Sequence, residues 1–225
     1  MSAIDSDEVA MRGDLTRAAS YRFLALLLST PSDATRAELG SLAGEVERTL
    51  AEDAPKLGEV CGPSLQGLYH RLLGASGQVP DVECAYDDNT AGGRGPLIAD
   101  VAGFYRAFAY PQSGPNTADH VAVELDFLGW LSMKQAYARH SGASEQLDVT
   151  SAARAKFIRD HLGRWVIPFL ERLAQAGEGT HYEAVAVLAT GTLRRLEGDV
   201  FDRPNARMRL PVLDDPEGLD TCCGG

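Results

Sequence analysis

The chain has 225 residues, enough for one large domain with a substantial core. Its 21 Lys and Arg against 32 Asp and Glu give a formal net charge of -11, which excludes a nucleic-acid partner gripped through phosphates and favours a cationic one. With 44% hydrophobic and 24% charged residues, the composition is that of a folded globular protein and not of a disordered chain.

The opening "MSAIDSDEVAMRGD" is acidic and has neither the basic nor the apolar region of a secretory signal. The longest apolar run, Phe23 to Leu28, is too short to cross a bilayer, so a cytoplasmic protein is expected. Residues 1–13 read as a flexible N-terminus. A first helix is predicted over about Leu15 to Ser29, with Ala18, Ala19, Phe23, Leu26 and Leu27 recurring at three and four. Thr30-Pro31 ends it and Ser32 can cap a second, about Asp33 to Glu52, which is weakly amphipathic through Leu39, Leu42, Val46 and Leu50. A third runs from about Ser64 to Gly74.

From 77 to 95 the periodicity fails, and Pro80, the polar "YDDNT" and the glycines of "GGRG" describe a long loop of the kind that is functional or mobile. A fourth helix, about Leu97 to Phe108, gathers Val101, Phe104, Tyr105 and Phe108. The segment 111–117, opening "PQSGPN", cannot continue a helix and reads as a hinge. The fifth helix begins in "NTADHVAVELDFLGW" and reaches Arg139; its apolar residues surround the axis, which places it in the middle of a bundle. A sixth spans about Thr150 to Ala174, with Pro168 expected to kink or split it, and a seventh about Tyr182 to Leu196. Residues 202–225 read as a flexible tail. The fold class is all-α, a single-domain bundle of about seven helices over residues 14–201.

Cys61, Cys84, Cys222 and Cys223 show no zinc spacing, and a reducing compartment argues against disulfides. The vicinal Cys222-Cys223 pair is either a redox or metal handle or simply part of the tail. No Ser stands in a nucleophile elbow, and "AGGRGP" lacks the ending of a phosphate loop. His120 and Glu124, four apart, share a helix face and could supply two metal ligands, with His161 a third in a metal-dependent helical oxidoreductase. A di-iron bundle, however, needs Glu-x-x-His motifs that are absent. The plainer reading makes Asp119 a helix-start residue favoured by the macrodipole and His120 a core histidine bonded to Glu124. Neither catalytic residues nor a cofactor are expected. A general helical interaction module is a further alternative.

Three ordered segments, "VECAYDD" followed by "LIADVAGFYRAFAY", "ADHVAVELDFLGWL" and "FIRDHLGRWVIPFLERL", resemble the TorD/DmsD/NarJ family of redox-enzyme maturation chaperones. The resemblance implies an all-helical, non-enzymatic chaperone that binds the N-terminal leader, often twin-arginine, of the catalytic subunit of a DMSO-reductase-type molybdenum enzyme. It also implies assistance in molybdopterin cofactor insertion and restraint of export until the enzyme is loaded. By the same resemblance Asp119, His120 and Glu124, with Phe127 in their row, lie at the leader-binding and hinge region, Glu83 and Tyr86 match the loop motif, and Phe104 and Tyr105 the "FYR" helix. Some relatives exchange helices across the hinge to form dimers, so monomer and swapped dimer both fit. Two departures stand out: Pro115 lies four residues before Asp119 and not two, and Cys84 follows Glu83 where Ser or Thr is usual.

Overall fold

The computed structural model describes residues 3–47, 50, 52–74, 76–87 and 93–202. Among these the architecture is all-α, with nine α-helices, no strand, and one isolated antiparallel bridge between Val82 and His120. The helices are α1 (Ala3–Leu27), α2 (Asp33–Leu42), α3 (Ala54–Val60), α4 (Gln66–Leu72), α5 (Gly95–Ala107), α6 (Val121–His140), α7 (Ser144–Asp160), α8 (Val166–Ala176) and α9 (His181–Glu197).

Three boundaries differ from expectation. α1 begins at Ala3, so most of the supposed flexible N-terminus is helical. Nothing before Gly13 breaks a helix, and an exposed Glu8–Arg12 pair, 2.8 Å, bridges one turn. The second predicted helix stops at Leu42, although Ser32 caps it as anticipated by accepting from the Thr35 N–H at 3.0 Å. α3 begins at Ala54, with Pro55 near its start, and residues 48, 49 and 51 of the predicted second helix lie outside the described residues.

The predicted sixth helix is two. α7 begins six residues earlier, at Ser144, just after a turn in which Gly142 holds φ +67°, and it ends at Asp160. A tight turn at 162–164 leads into α8. The break lies upstream of Pro168, which is the third residue of α8, where its missing N–H is one of those that have no intrahelical partner anyway. Gly163 fits the turn, because a Cβ there would stand 2.4 Å from the Ile158 carbonyl oxygen. The expected tail from 203 onward lies outside the described residues, as do residues 88–92 of the long loop.

α6 is the axis of the bundle. Leu125, Phe127, Leu128, Leu131 and Ala138 are buried around its circumference. α1 lies along it so closely that a Cβ on Gly129 would be 3.2 Å from the Ala18 carbonyl oxygen. Arg22 of α1 reaches both Glu38 of α2, at 2.7 Å, and Asp126 of α6, at 2.9 Å, and Asp126 accepts a hydrogen bond from Tyr110. This network anchors the start of the 111–117 segment. Just before it, Ala109 adopts φ +50°, a left-handed conformation that disfavours a side chain.

Candidate functional site

All eight residues marked by the sequence converge where α6 begins. The segment 80–87 forms a strap across that end of the helix. Its main chain is stitched to the α6 entry by Glu83 N–H donating to the Asp119 carbonyl and Val121 N–H donating to the Asp81 carbonyl, both at 2.8 Å. These bonds satisfy backbone groups at a buried helix start, which would otherwise be orphaned.

Asp119 is fully buried, one residue outside the helix cap. Its carboxylate receives Arg94 at 2.8 Å and the Cys84 N–H at 3.4 Å. Burial alone would raise its pKa, but hydrogen bonds from Arg94 and Thr117, with the Arg94 charge, hold it below the usual carboxylate range. His120 is the N-cap: its Nδ1 accepts from the Ala122 N–H at 3.1 Å, and its Nε2 faces Asp81 at 3.2 Å. The expected His120–Glu124 hydrogen bond is therefore replaced. With ψ 137° at His120 the chain has not yet entered the helix, so the four-residue spacing aligns nothing.

Glu124 instead points inward. It is 0% exposed, accepts from Trp165 Nε1 at 3.2 Å, and meets Glu83, which is itself 2% exposed. Burial, and then the charges of Glu83 and Asp119, push the Glu124 carboxyl well above its ordinary range. On its other side Glu83 lies 3.1 Å from His161 Nδ1, while His161 Nε2 is 3.4 Å from the exposed Asp100. A line of polar groups thus runs from the core, through Glu124, Glu83 and His161, to the surface at Asp100.

Aromatic rings enclose this line. Phe127 packs on Tyr105 at 4.7 Å, Phe157 at 4.8 Å and Tyr110 at 5.5 Å. Tyr105 donates to the Ala118 carbonyl at 2.7 Å, and Tyr86 donates to the Pro80 carbonyl and rests on Trp165 and Phe169. Asp119, His120, Glu124, Phe127, Glu83, Tyr86 and Tyr105 are all buried, whereas half-buried Phe104, ringed by Phe157 and His161 with Lys156 over its face, reaches the surface. Among the described residues, these side chains are packed into the core around α6, with Phe104 at its outer edge.

The sequence reading passed over Arg94, Asp81, Asp100 and Trp165. Arg94 sits in the glycine-rich "GGRG" and supplies the cation that a buried Asp119 requires. The proposed metal set does not assemble: His120, Glu124 and His161 face Asp81, Trp165 and Glu83 respectively. Among the described residues, no three His, Cys, Asp or Glu side chains are placed to hold a metal ion, and no helix is long and apolar enough to cross a membrane.

The chain is similar to the chaperone protein TorD of three strains of Vibrio cholerae serotype O1, 35% identical over 77 residues. That stretch is 34% of this chain and 34% of each relative, so the match spans about a third of their length. No solved structure matches. The model of the nitrate reductase delta subunit family matches residues 31–171, which takes in the strap, the α6 entry and the α7–α8 break, and the chain belongs to that family, the NarJ/TorD group its motifs resemble.

Proposed function

We propose that this protein is a maturation chaperone, not an enzyme, that binds the N-terminal, twin-arginine leader of a DMSO-reductase-type molybdoenzyme catalytic subunit in the cytoplasm. There it assists molybdopterin cofactor insertion and delays export. The observation that carries the reading is the family match across residues 31–171, supported by the named TorD chaperones and by a net charge of -11 suited to a basic leader.

In this reading the buried residues Asp119, His120, Glu124, Phe127, Glu83, Tyr86 and Tyr105 shape the leader site from within by fixing the strap to α6. Leader contact is made at the outer edge of the cluster. Phe104 and Asp100, four apart on α5, present an aromatic face and a carboxylate there.

Titrating the purified protein with synthetic leaders of the molybdoenzyme catalytic subunits from its own organism tests this. Binding with Kd of order micromolar is expected, about -8 kcal/mol. It should weaken with salt, and when the leader's arginines are made neutral. Asp100→Asn should weaken binding without shifting thermal unfolding, Phe104→Ala should weaken binding with some loss of stability from its contacts with Phe157 and His161, and Asp119→Ala should alter both. If no leader and no full-length precursor binds, the reading is wrong.

A further inference from the structure

We propose that the strap of residues 80–87 is a proton-controlled latch. One proton shared between Glu83 of the strap and Glu124 of α6 holds it closed, and release of that proton to solvent frees the strap.

The geometry is that of a shared proton. Glu124 Oε1 is buried and no donor reaches it, while its other oxygen is occupied by Trp165. Its neighbour is the Glu83 carboxyl, which His161 already approaches from the far side. Two neighbouring carboxylates, both under 3% exposed, repel strongly where water cannot screen them. If Glu124 keeps its proton, the carboxyl can donate to the neighbouring Glu83 carboxylate and the repulsion is removed. The upward displacement of the Glu124 pKa agrees with this arrangement.

Arg172 of α8 acts on Tyr86 of the strap, and the other charged neighbours of Glu124 do not offset loss of the proton. From the α6 entry Asp119 adds a second negative charge, with Arg94 already committed to it, and His120 faces Asp81 of the strap. From α5 come the Tyr105 hydroxyl, bonded to the Ala118 carbonyl, and Asp100, which reaches His161. From the α7–α8 break come His161 and the neutral Trp165, while Arg164 lies toward Asp87 at 3.5 Å. Deprotonating Glu124 therefore leaves Glu83 facing an uncompensated charge. The strap is the element that can move: it is a short turn held by a few main-chain bonds, by the Asp81–His120, Cys84–Asp119 and Asp87–Arg164 contacts and by Tyr86, whereas Glu124 is inside a twenty-residue helix. As Glu83 moves toward water, Tyr86 lifts from Trp165 and Phe169 and uncovers that aromatic wall. The latch is a property of the unliganded protein and does not rest on the leader reading.

Hydrogen exchange and Trp165 fluorescence, in a Trp130→Phe background that leaves Trp165 as the reporter, test it between pH 5.5 and 9.5. Raising pH should red-shift the Trp165 emission. It should also accelerate exchange at the Glu83 and Tyr86 amides at least tenfold beyond an unstructured reference, while α6 stays protected. Glu124→Gln, whose amide can donate to Glu83 at every pH, should abolish both changes. Glu83→Gln removes the repelling charge on Glu124 and should alter the fluorescence transition, separating the latch from general alkaline unfolding. The proposal is overturned if neither signal changes across this range, or if Glu124→Gln or Glu83→Gln shows the wild-type transition unaltered.

Discussion

Asp119 shows how much a single carboxylate can depend on context. It carries its charge at a fully buried position because Arg94 and the Cys84 amide meet it there. A carboxyl displaced downward by folding stabilises the protein above its unfolded pKa, near 3.8, and that contribution disappears as pH falls through the folded value. Asp119→Asn should therefore cost about 1–3 kcal/mol at pH 7, with Arg94 left short of an ionic partner. Urea denaturation should show the variant and the wild type converging only once the pH is well below 3.8. The sequence brought the eight residues into one group through the resemblance, but it could not show that seven of them are interior. A charged residue reads as solvent-facing until its counter-charge is found, and Arg94 and Asp81 come from a loop without periodicity.

At the scale of elements, legibility followed periodicity. α5, α6 and α9 appear close to where the spacing predicts them, because each has a continuous apolar pattern and a recognisable stop. The second predicted helix failed because its pattern was weak. The sixth failed because a 3.6-residue pattern persists through a break that lies at Gly163 and not at the more conspicuous Pro168. The turn at 162–164 is specified at Gly163, where a Cβ cannot be accommodated against a backbone oxygen. Gly163→Ala should force the α7–α8 angle to change and cost about 1–3 kcal/mol, the usual range for overpacking. Chemical denaturation measures the loss, and amide shifts at His161 and Trp165 should move with it. An unchanged spectrum would mean that the break tolerates a side chain.

For the molecule as a whole, a second buried polar network joins distant parts of the chain. Glu197, near the end of α9, accepts from Tyr21 of α1 at 2.7 Å and pairs with Arg154 of α7. Asp14 of α1 similarly receives Arg139 from α6 and Arg17 from its own helix. These groups are mostly buried, so removing one partner leaves the others uncompensated. Glu197→Ala should cost about 3–5 kcal/mol, the range for breaking a buried ion pair. At roughly 2–4 °C per kcal/mol for a protein of this size, the fall in Tm should be easily measured by calorimetry. Nothing in the sequence paired residue 21 with residue 197, since contacts of that separation leave no local pattern.

The lengthwise contact between α1 and α6 also governs how the protein emerges from the ribosome. α1 is made well before α6, and part of what covers it arrives late; Asp14 meets Arg139, 125 positions downstream. At 5–20 residues per second, that delay is roughly 6–25 s. Throughout it, Phe23, Leu24, Leu27 and Leu28 belong to a nascent segment with no place to hide, so a protein proposed to shelter the unfinished chains of others must itself be sheltered while it is born.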